Sequence, residues 1–233
     1  QEKLRANLLR TISHDLRTPL TSISGNADNL LANDEMFDTE TRRQIYTDIR
    51  EDSEWLISLV ENLLSVSRMG DGKSDIRMSA ELVSDVIDEA LRRTEKNANA
   101  HKLTAKESDG ILLARMDARL IVQVLINLID NAIKYTPRGS EIEILAVEKD
   151  NEIAITVADN GHGIADEIKP RVFDMFYTGA EKIADSRRSL GLGLALCKSI
   201  VNAHGGEITV SDNKPHGAVF TFTLPKEEVE INE

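Results

Sequence analysis

Ser13-His14-Asp15-Leu16-Arg17-Thr18-Pro19-Leu20 is the first group of side chains in this 233-residue chain that could carry chemistry. An imidazole nitrogen is a nucleophile near neutral pH, and a neighbouring carboxylate can hold the ring and take up its proton. Apolar residues at Leu9, Ile12, Leu16, Ile23 and Leu30 follow the spacing of a coiled-coil seam, so the octet reads as helix. At about 100° per residue, His14 lies roughly 160–200° from Ile12 and Leu16 and faces away from that seam. Thr18, at i+4, shares its face. Pro19 has no N–H for the carbonyl of Asp15, which predicts a bend within about one turn of the imidazole. A surface His on an ordinary helix is the plainer reading of His14 alone, but it leaves the adjacent carboxylate and the Pro without a purpose.

Three later groups have the makings of a phosphate and base site. Asn127, Asn131 and Lys134 stand at i, i+4 and i+7 beside the apolar stripe Ile121, Val124, Leu125, Leu128 and Ala132. Two Asn in mid-helix cost propensity; an Asn oxygen suits Mg²⁺, and Lys134 can meet phosphate charge. A plain polar helix face has the same spacing. Ala158-Asp159-Asn160-Gly161-His162-Gly163-Ile164 ends a strand, and its glycines allow a tight turn with close approach of backbone to a ligand. Asp159 can accept a hydrogen bond from an exocyclic amine, as a carboxylate selecting adenine would. Leu190-Gly191-Leu192-Gly193-Leu194 opens a helix running to about Ala203, where free N–H groups and a positive dipole end favour phosphate. It does not follow a strand in a compact β-α-β unit, and no Gly-Lys-Ser/Thr loop is present, so the common dinucleotide and P-loop patterns are not met.

The elements that must position these residues follow from pattern. One helix is expected over about Glu2–Leu31, a turn over Ala32–Asp38, and a second helix capped by Asp38 or Thr39. Ile45, Ile49, Leu56, Leu59, Leu63 and Val66 form its seam, interrupted by Asp52. Two such helices cannot cover their stripes as an isolated pair, which predicts a four-helix bundle in a homodimer. Packing against the rest of the chain is the alternative. Met69–Asp75 reads as a linker. Beyond it come a helix over Leu82–Arg93, strands over His101–Lys106 and Ile111–Met116, and a helix capped by Asp117. Strand pairs follow at Glu141–Glu148 with Glu152–Ala158, turning at Asp150-Asn151, and at Gly206–Ser211 with Ala218–Leu224. The result is one mixed sheet with one helical layer. The tail from Lys226 to Glu233 reads as charged and frayed.

A net charge of −12 argues against a nucleic-acid or anionic-membrane surface, so any phosphate site must be local. The single Cys197 excludes an internal disulfide and, within Leu194-Ala195-Leu196, reads as a buried small hydrophobe. No stretch approaches 18 apolar residues and no signal peptide is evident; the chain opens at Gln1 inside a helical pattern.

The octet around His14 resembles the phosphoacceptor box of bacterial two-component sensor histidine kinases. Asn127-Leu-Ile-Asp-Asn131-Ala-Ile-Lys134-Tyr135, Asp159-x-Gly161-x-Gly163, Phe173-Asp-Met-Phe176 and Phe220-Thr-Phe-Thr-Leu-Pro225 resemble the nitrogen and glycine boxes of their catalytic domain. Among subfamilies, Phe176-Tyr-Thr to Ala184-Asp-Ser-Arg-Arg looks most like the Kdp-type potassium and osmotic sensor kinases. The fold this resemblance implies is an all-α helical hairpin, a four-helix bundle in the dimer, followed by an α/β sandwich ATPase domain of the histidine kinase, Hsp90 and gyrase type. The implied domains are 1–70 for dimerisation and phosphoacceptance, 71–75 as linker, 76–226 for ATP binding and 227–233 as tail. His14 would be phosphorylated, with Asp15 its acid/base partner and Thr18 orienting water in dephosphorylation. ATP would contact Asn127, Asp130, Asn131, Lys134, Tyr135, Asp159, Gly161, Gly163, Ile164, Phe176, Gly191, Leu192, Gly193, Leu194 and Thr221, with Mg²⁺ held through Asn131.

The same resemblance implies a homodimer that passes its phosphoryl group to an Asp of a response-regulator receiver domain, with phosphatase activity toward it as a second expectation. No nucleic-acid partner is expected. The chain would be the cytoplasmic portion of a membrane-anchored bacterial sensor, meeting the membrane only through a missing N-terminal region. An ATP-binding dimeric scaffold or phosphatase-biased sensor is the alternative. A DNA- or chaperone-type ATPase of the same fold would leave the His14 helix unexplained. Two departures from the family pattern stand out: Thr178 where Arg is frequent, and Ser189-Leu190-Gly191 where Gly-Thr-Gly is frequent. Lys182, Arg187 or Arg188, in an unpatterned loop from Gly179 to Ser189 that reads as a lid, would supply the missing cation. Alanine at all three should weaken ATP binding several-fold in calorimetry, and unchanged affinity and turnover would refute that role.

Overall fold

The computed structural model describes residues 2–70, 76–95, 97–108, 110–175, 177 and 191–227, with the side chains of 2–15, 34, 58 and 61–70 outside the description. The chain divides into two compact units, Gln1–Gly70 and Asp71–Glu233.

The first unit is a helical hairpin of α1 (Glu2–Asn33) and α2 (Thr39–Gly70), joined by a 3-10 turn at Asp34–Met36. The seam spacing makes both helices, and the connection follows from local chemistry. Asp38 caps α2 by accepting from the Thr41 amide at 2.7 Å. The hydroxyl and amide of Thr41 hold its carboxyl below the usual range. Helix α1 continues through Pro19, which is buried, and Leu59 and Asp52 are buried on α2. Leu20, Ile57 and Val60 remain 54%, 59% and 46% exposed, the apolar area that two helices alone leave uncovered. Ala32 and Asn33 extend α1 into the expected turn, and Met69 and Gly70 complete α2 instead of opening a linker. Residues 71–75 lie outside the described residues.

The second unit runs β1 (Ser79–Leu82), α3 (Val83–Thr94), β2 (Lys102–Glu107), β3 (Leu113–Met116), α4 (Ala118–Tyr135), β4 (Glu141–Lys149) and β5 (Glu152–Asp159). A 3-10 turn at Lys169–Arg171, α5 (Gly193–Ala203), β6 (Ile208–Asp212) and β7 (Ala218–Pro225) complete it. Its main sheet has the order β2-β4-β5-β7-β6, with β2 parallel to β4 and every other pair antiparallel. Ile142, Ile144, Ile153, Ile155, Phe222 and Leu224 point every second position to one face and are fully buried with Ile121, Leu125 and Leu128 of α4. Asp150 takes a positive φ of 54° in the β4–β5 turn.

Strand β1 has no counterpart among the expected elements. It pairs antiparallel with β3 in a separate two-stranded sheet. Four mostly exposed residues, Ser79-Ala80-Glu81-Leu82, carry no alternation to announce a strand, so β3 alone specifies it. Lys226 and Glu227 are not frayed: the Lys226 amide donates to Asn151 O at 3.1 Å and the Glu227 amide to Leu113 O at 2.9 Å.

Helix α4 is anchored at its first turn. The Asp117 carboxylate accepts from the amides of Arg119 and Arg77, each at 3.2 Å, and from the Arg119 guanidinium at 3.1 Å. The Asp117 amide donates to Nε2 of the buried His204 at 3.0 Å, while His204 Nδ1 donates to Ile200 O at 2.7 Å. Burial pushes the Asp117 carboxyl up, but the Arg119 guanidinium and the Arg77 amide outweigh it and hold the group below the usual range. A depressed carboxylate contributes stability above its unfolded pKa of about 4 and loses it as pH falls through the folded value. Asp117→Asn should therefore lower the melting temperature of this unit at pH 7 in thermal unfolding, with a gap from the parent that closes below about pH 4.

Candidate nucleotide site

Asn127 sits three turns into α4, where α5 begins. A Cβ on Gly193 would lie 3.6 Å from Asn127 Oδ1, so the first turn of α5 packs directly on this amide. Asn127 Nδ2 is shielded from solvent and makes no regular hydrogen bond among the described residues, with the weakly accepting Cys197 sulfur beside it. Leaving such a donor unpaired costs about 1–3 kcal/mol. No side chain among the described residues caps α5, whose N-cap position is Leu192, which leaves the amides of that turn without a side-chain partner among them. Gly191 holds a φ of +63°, a conformation that favours glycine and turns the chain into α5. A helix N-terminus without a side-chain cap fits an oxyanion such as a phosphate, and the Asn127 amide packs against this one through Oδ1.

Asn131 follows one turn later on α4, half-buried. Lys134 and Tyr135 are exposed at the end of the helix, the ammonium 5.4 Å from the Tyr135 ring centre. Asp130 accepts from Asn97 Nδ2 at 3.4 Å; burial raises its pKa and the Asn97 bond opposes that. Among the described residues no three His, Cys, Asp or Glu side chains cluster as a metal site.

Asp159 ends β5 on the core face and is buried. Its Oδ1 accepts from the amides of Gly161 at 2.8 Å and Ala218 at 3.3 Å, which fixes the carboxylate while Oδ2 keeps no partner among the described residues. Gly161 is forced by packing, since a Cβ there would lie 2.6 Å from Thr136 Cγ2 just past α4. Gly163 takes a φ of +75°, and Ile164 is half-buried beside it. The structure thus brings Asn127 together with Gly193, and the end of α4 together with the Asp159 turn.

Thr221 is a correction. It pairs with Thr156 and Thr209 on the sheet face opposite to Phe220 and Phe222, so it stands away from the helical layer and from Asp159. The alternation of β7 decides this, because neighbouring residues must face opposite sides. Thr18 is exposed on α1 in the first unit. Phe176, Thr178, Lys182, Arg187, Arg188 and Leu190 lie outside the described residues, as do the side chains of His14 and Asp15. Thr136, the Ala218 amide and the Asp117–His204 pair were not legible beforehand, since each acts through a partner distant in sequence.

The profile of the His Kinase A (phospho-acceptor) domain matches residues 4–72, and that of the histidine kinase-, DNA gyrase B- and HSP90-like ATPases matches residues 116–228. The chain belongs to the sensor histidine kinases. Within that family it is 47% identical over 227 residues to the sensor protein KdpD of Clostridium acetobutylicum, and 33% identical over 227 residues to KdpD of Escherichia coli. Each match takes in 97% of this chain and 25% of the relative, so the chain spans a quarter of the length of either sensor kinase. The Acinetobacter baumannii histidine kinase AdeS superposes with a TM-score of 0.72 at 27% identity, over 92% of this chain and 98% of that one. The histidine kinase ThkA, solved in complex with the response regulator protein TrrA, superposes with a TM-score of 0.70 at 24% identity, over 97% of this chain and 64% of that one. That second likeness is one of fold. Both a helical hairpin and an α/β ATPase fold are what this kinase family carries, and an ATPase domain of this type binds ATP.

Cys197, midway along α5 and beside Asn127, is fully buried, with its thiol donating to Val124 O at 3.8 Å. Burial pushes its pKa up to about 12, against a smaller opposing effect of the Asn127 amide beside it. The reactive thiolate is therefore scarce and shielded. Iodoacetamide at pH 8 should leave Cys197 unmodified in the folded chain and alkylate it fully in denaturant, as read by mass spectrometry.

Proposed function

We propose that this chain is the autokinase portion of a membrane-anchored sensor, using residues 1–70 to dimerise and accept phosphate, 71–75 as a linker and 76–226 to hold ATP. What supports the nucleotide role most directly is the uncapped first turn of α5, which packs on the Asn127 amide at its Oδ1. Asn127 and the amides from Gly191 to Leu194 bind the phosphates, with Lys134 adding positive charge. Asp159 accepts from the exocyclic amine of adenine through Oδ2, and Gly161, Gly163 and Ile164 line the base. Asp130 and Tyr135 border the same helix end. Asn131 would hold Mg²⁺ through its side-chain oxygen, since no carboxylate cluster is at hand among the described residues. The ion supplies neutralisation of the phosphate charge.

His14 attacks the γ-phosphorus through an imidazole nitrogen; a P–N bond forms, the bond to the β-phosphate oxygen breaks, and ADP leaves. Asp15 takes the imidazole proton. Because His14 and Asp159 belong to separate compact units, the transfer requires the linker to let them meet. Dimerisation is supported by the apolar surface at Leu20, Ile57 and Val60. A response-regulator receiver domain as acceptor is supported by the complex of ThkA with TrrA, and Thr18 orients water when the phosphoryl group is later removed. The membrane connection lies in a preceding region, supported by the KdpD relatives being four times as long; no described helix is long and apolar enough to cross a membrane.

Incubation with Mg²⁺ and γ-labelled ATP should give an acid-labile, alkali-stable label that His14→Gln abolishes. ATP binding without any label would favour a scaffold or phosphatase instead, and steady hydrolysis without label an ATPase of the gyrase or Hsp90 kind.

A further inference from the structure

The turn between β6 and β7, Asn213 to Gly217, wraps around the end of β5 where Asp159 stands. Asn213 Nδ2 donates to the Asp159 carbonyl at 2.7 Å. The orientation of this amide is set by its other end, where Oδ1 accepts from the Lys214 amide at 2.9 Å. The Asn213 amide closes the turn on Gly217 O at 3.0 Å. His216 Nδ1 lies 3.1 Å from Gly161 O and, facing a carbonyl, donates to it. Gly217 has a φ of +122°, and a Cβ there would fall 1.9 Å from Asp159 O, so backbone meets backbone without a spacer. The next amide, Ala218, reaches Asp159 Oδ1 at 3.3 Å. One short turn therefore grips Asp159 at its carbonyl, its carboxylate and the glycine that follows.

We propose that Asn213 and His216 are positioning residues for base recognition, holding the Asp159 carboxylate at the angle that admits a base with an exocyclic amine. This rests on the reading of Asp159 as the adenine acceptor. Asn213 is half-buried and His216 exposed, and neither is part of the hydrophobic core, so their loss should alter aim more than stability. The discriminating probe is inosine triphosphate, which has an oxo group where ATP has the amine.

Dissociation constants for ATP and inosine triphosphate should be measured with Mg²⁺ on the full 233-residue chain, for the parent, Asn213→Asp, His216→Ala and Asp159→Asn. Asn213→Asp keeps the shape but removes the donor. The expected result is an ATP affinity lowered about tenfold in Asn213→Asp and several-fold in His216→Ala, with inosine triphosphate affinity and melting temperature nearly unchanged. A structural defect would weaken both nucleotides equally and leave their ratio intact, which would overturn the proposal. Loss of the ratio in Asp159→Asn alone would refute the role of Asn213 and His216 and leave that of Asp159 standing. A ratio unchanged in Asp159→Asn would remove the adenine reading and this inference with it.

Discussion

The antiparallel registration of α4 against α5 is the constraint on which the nucleotide half depends. Asp117 at the start of α4 meets His204 at the end of α5, Val124 meets Cys197 midway, and Asn127 meets Gly193 at the start of α5. At about 1.5 Å per residue, these spacings match along the two helices, so a slip at one end would displace the other. The His204 ring donates to one helix and accepts from the other, which makes the pairing directional. The result is that the Asn127 amide is held against an uncapped helix end, an arrangement neither helix could keep alone.

The sheet contributes the second fixed point. Asp159 is the last core-facing residue of β5, set there by the same alternation that buries Ile153, Ile155 and Val157. A carboxylate in that position needs donors, and two backbone amides supply them. Glycine at 161 and 217 is a steric requirement of that arrangement, since a Cβ at either would strike Thr136 or Asp159. The groups proposed to face phosphate and base thus hang from different elements, and α4, whose C-cap Thr136 stands beside Gly161, joins them. Helix α1, which carries His14, belongs to the other compact unit.

Much of this was legible in the order of residues. Seam spacing specified the hairpin helices, the i, i+3, i+4 stripe specified α4, and alternation specified β4, β5 and β7, because each pattern is the direct image of one buried face. The Asp38 and Asp117 caps were readable for the same reason: capping acts over two or three residues. The short strand β1 was not, having no pattern of its own. Thr221 was attributed to the nucleotide by family resemblance, while the parity of β7 turns it to the other face.

By itself, the sequence determined most of the elements and offered candidate residues for phosphate, base and metal, since these depend on local periodicity and side-chain type. Only the tertiary structure decided that His204 ties two helices and that Asn213 and His216 reach the Asp159 and Gly161 carbonyls. Each of those depends on groups 50 or more residues apart meeting within hydrogen-bond distance, as with Asn213 and Asp159, separated by 54 positions. Such meetings are products of sheet order and helix registration, which the linear pattern does not contain.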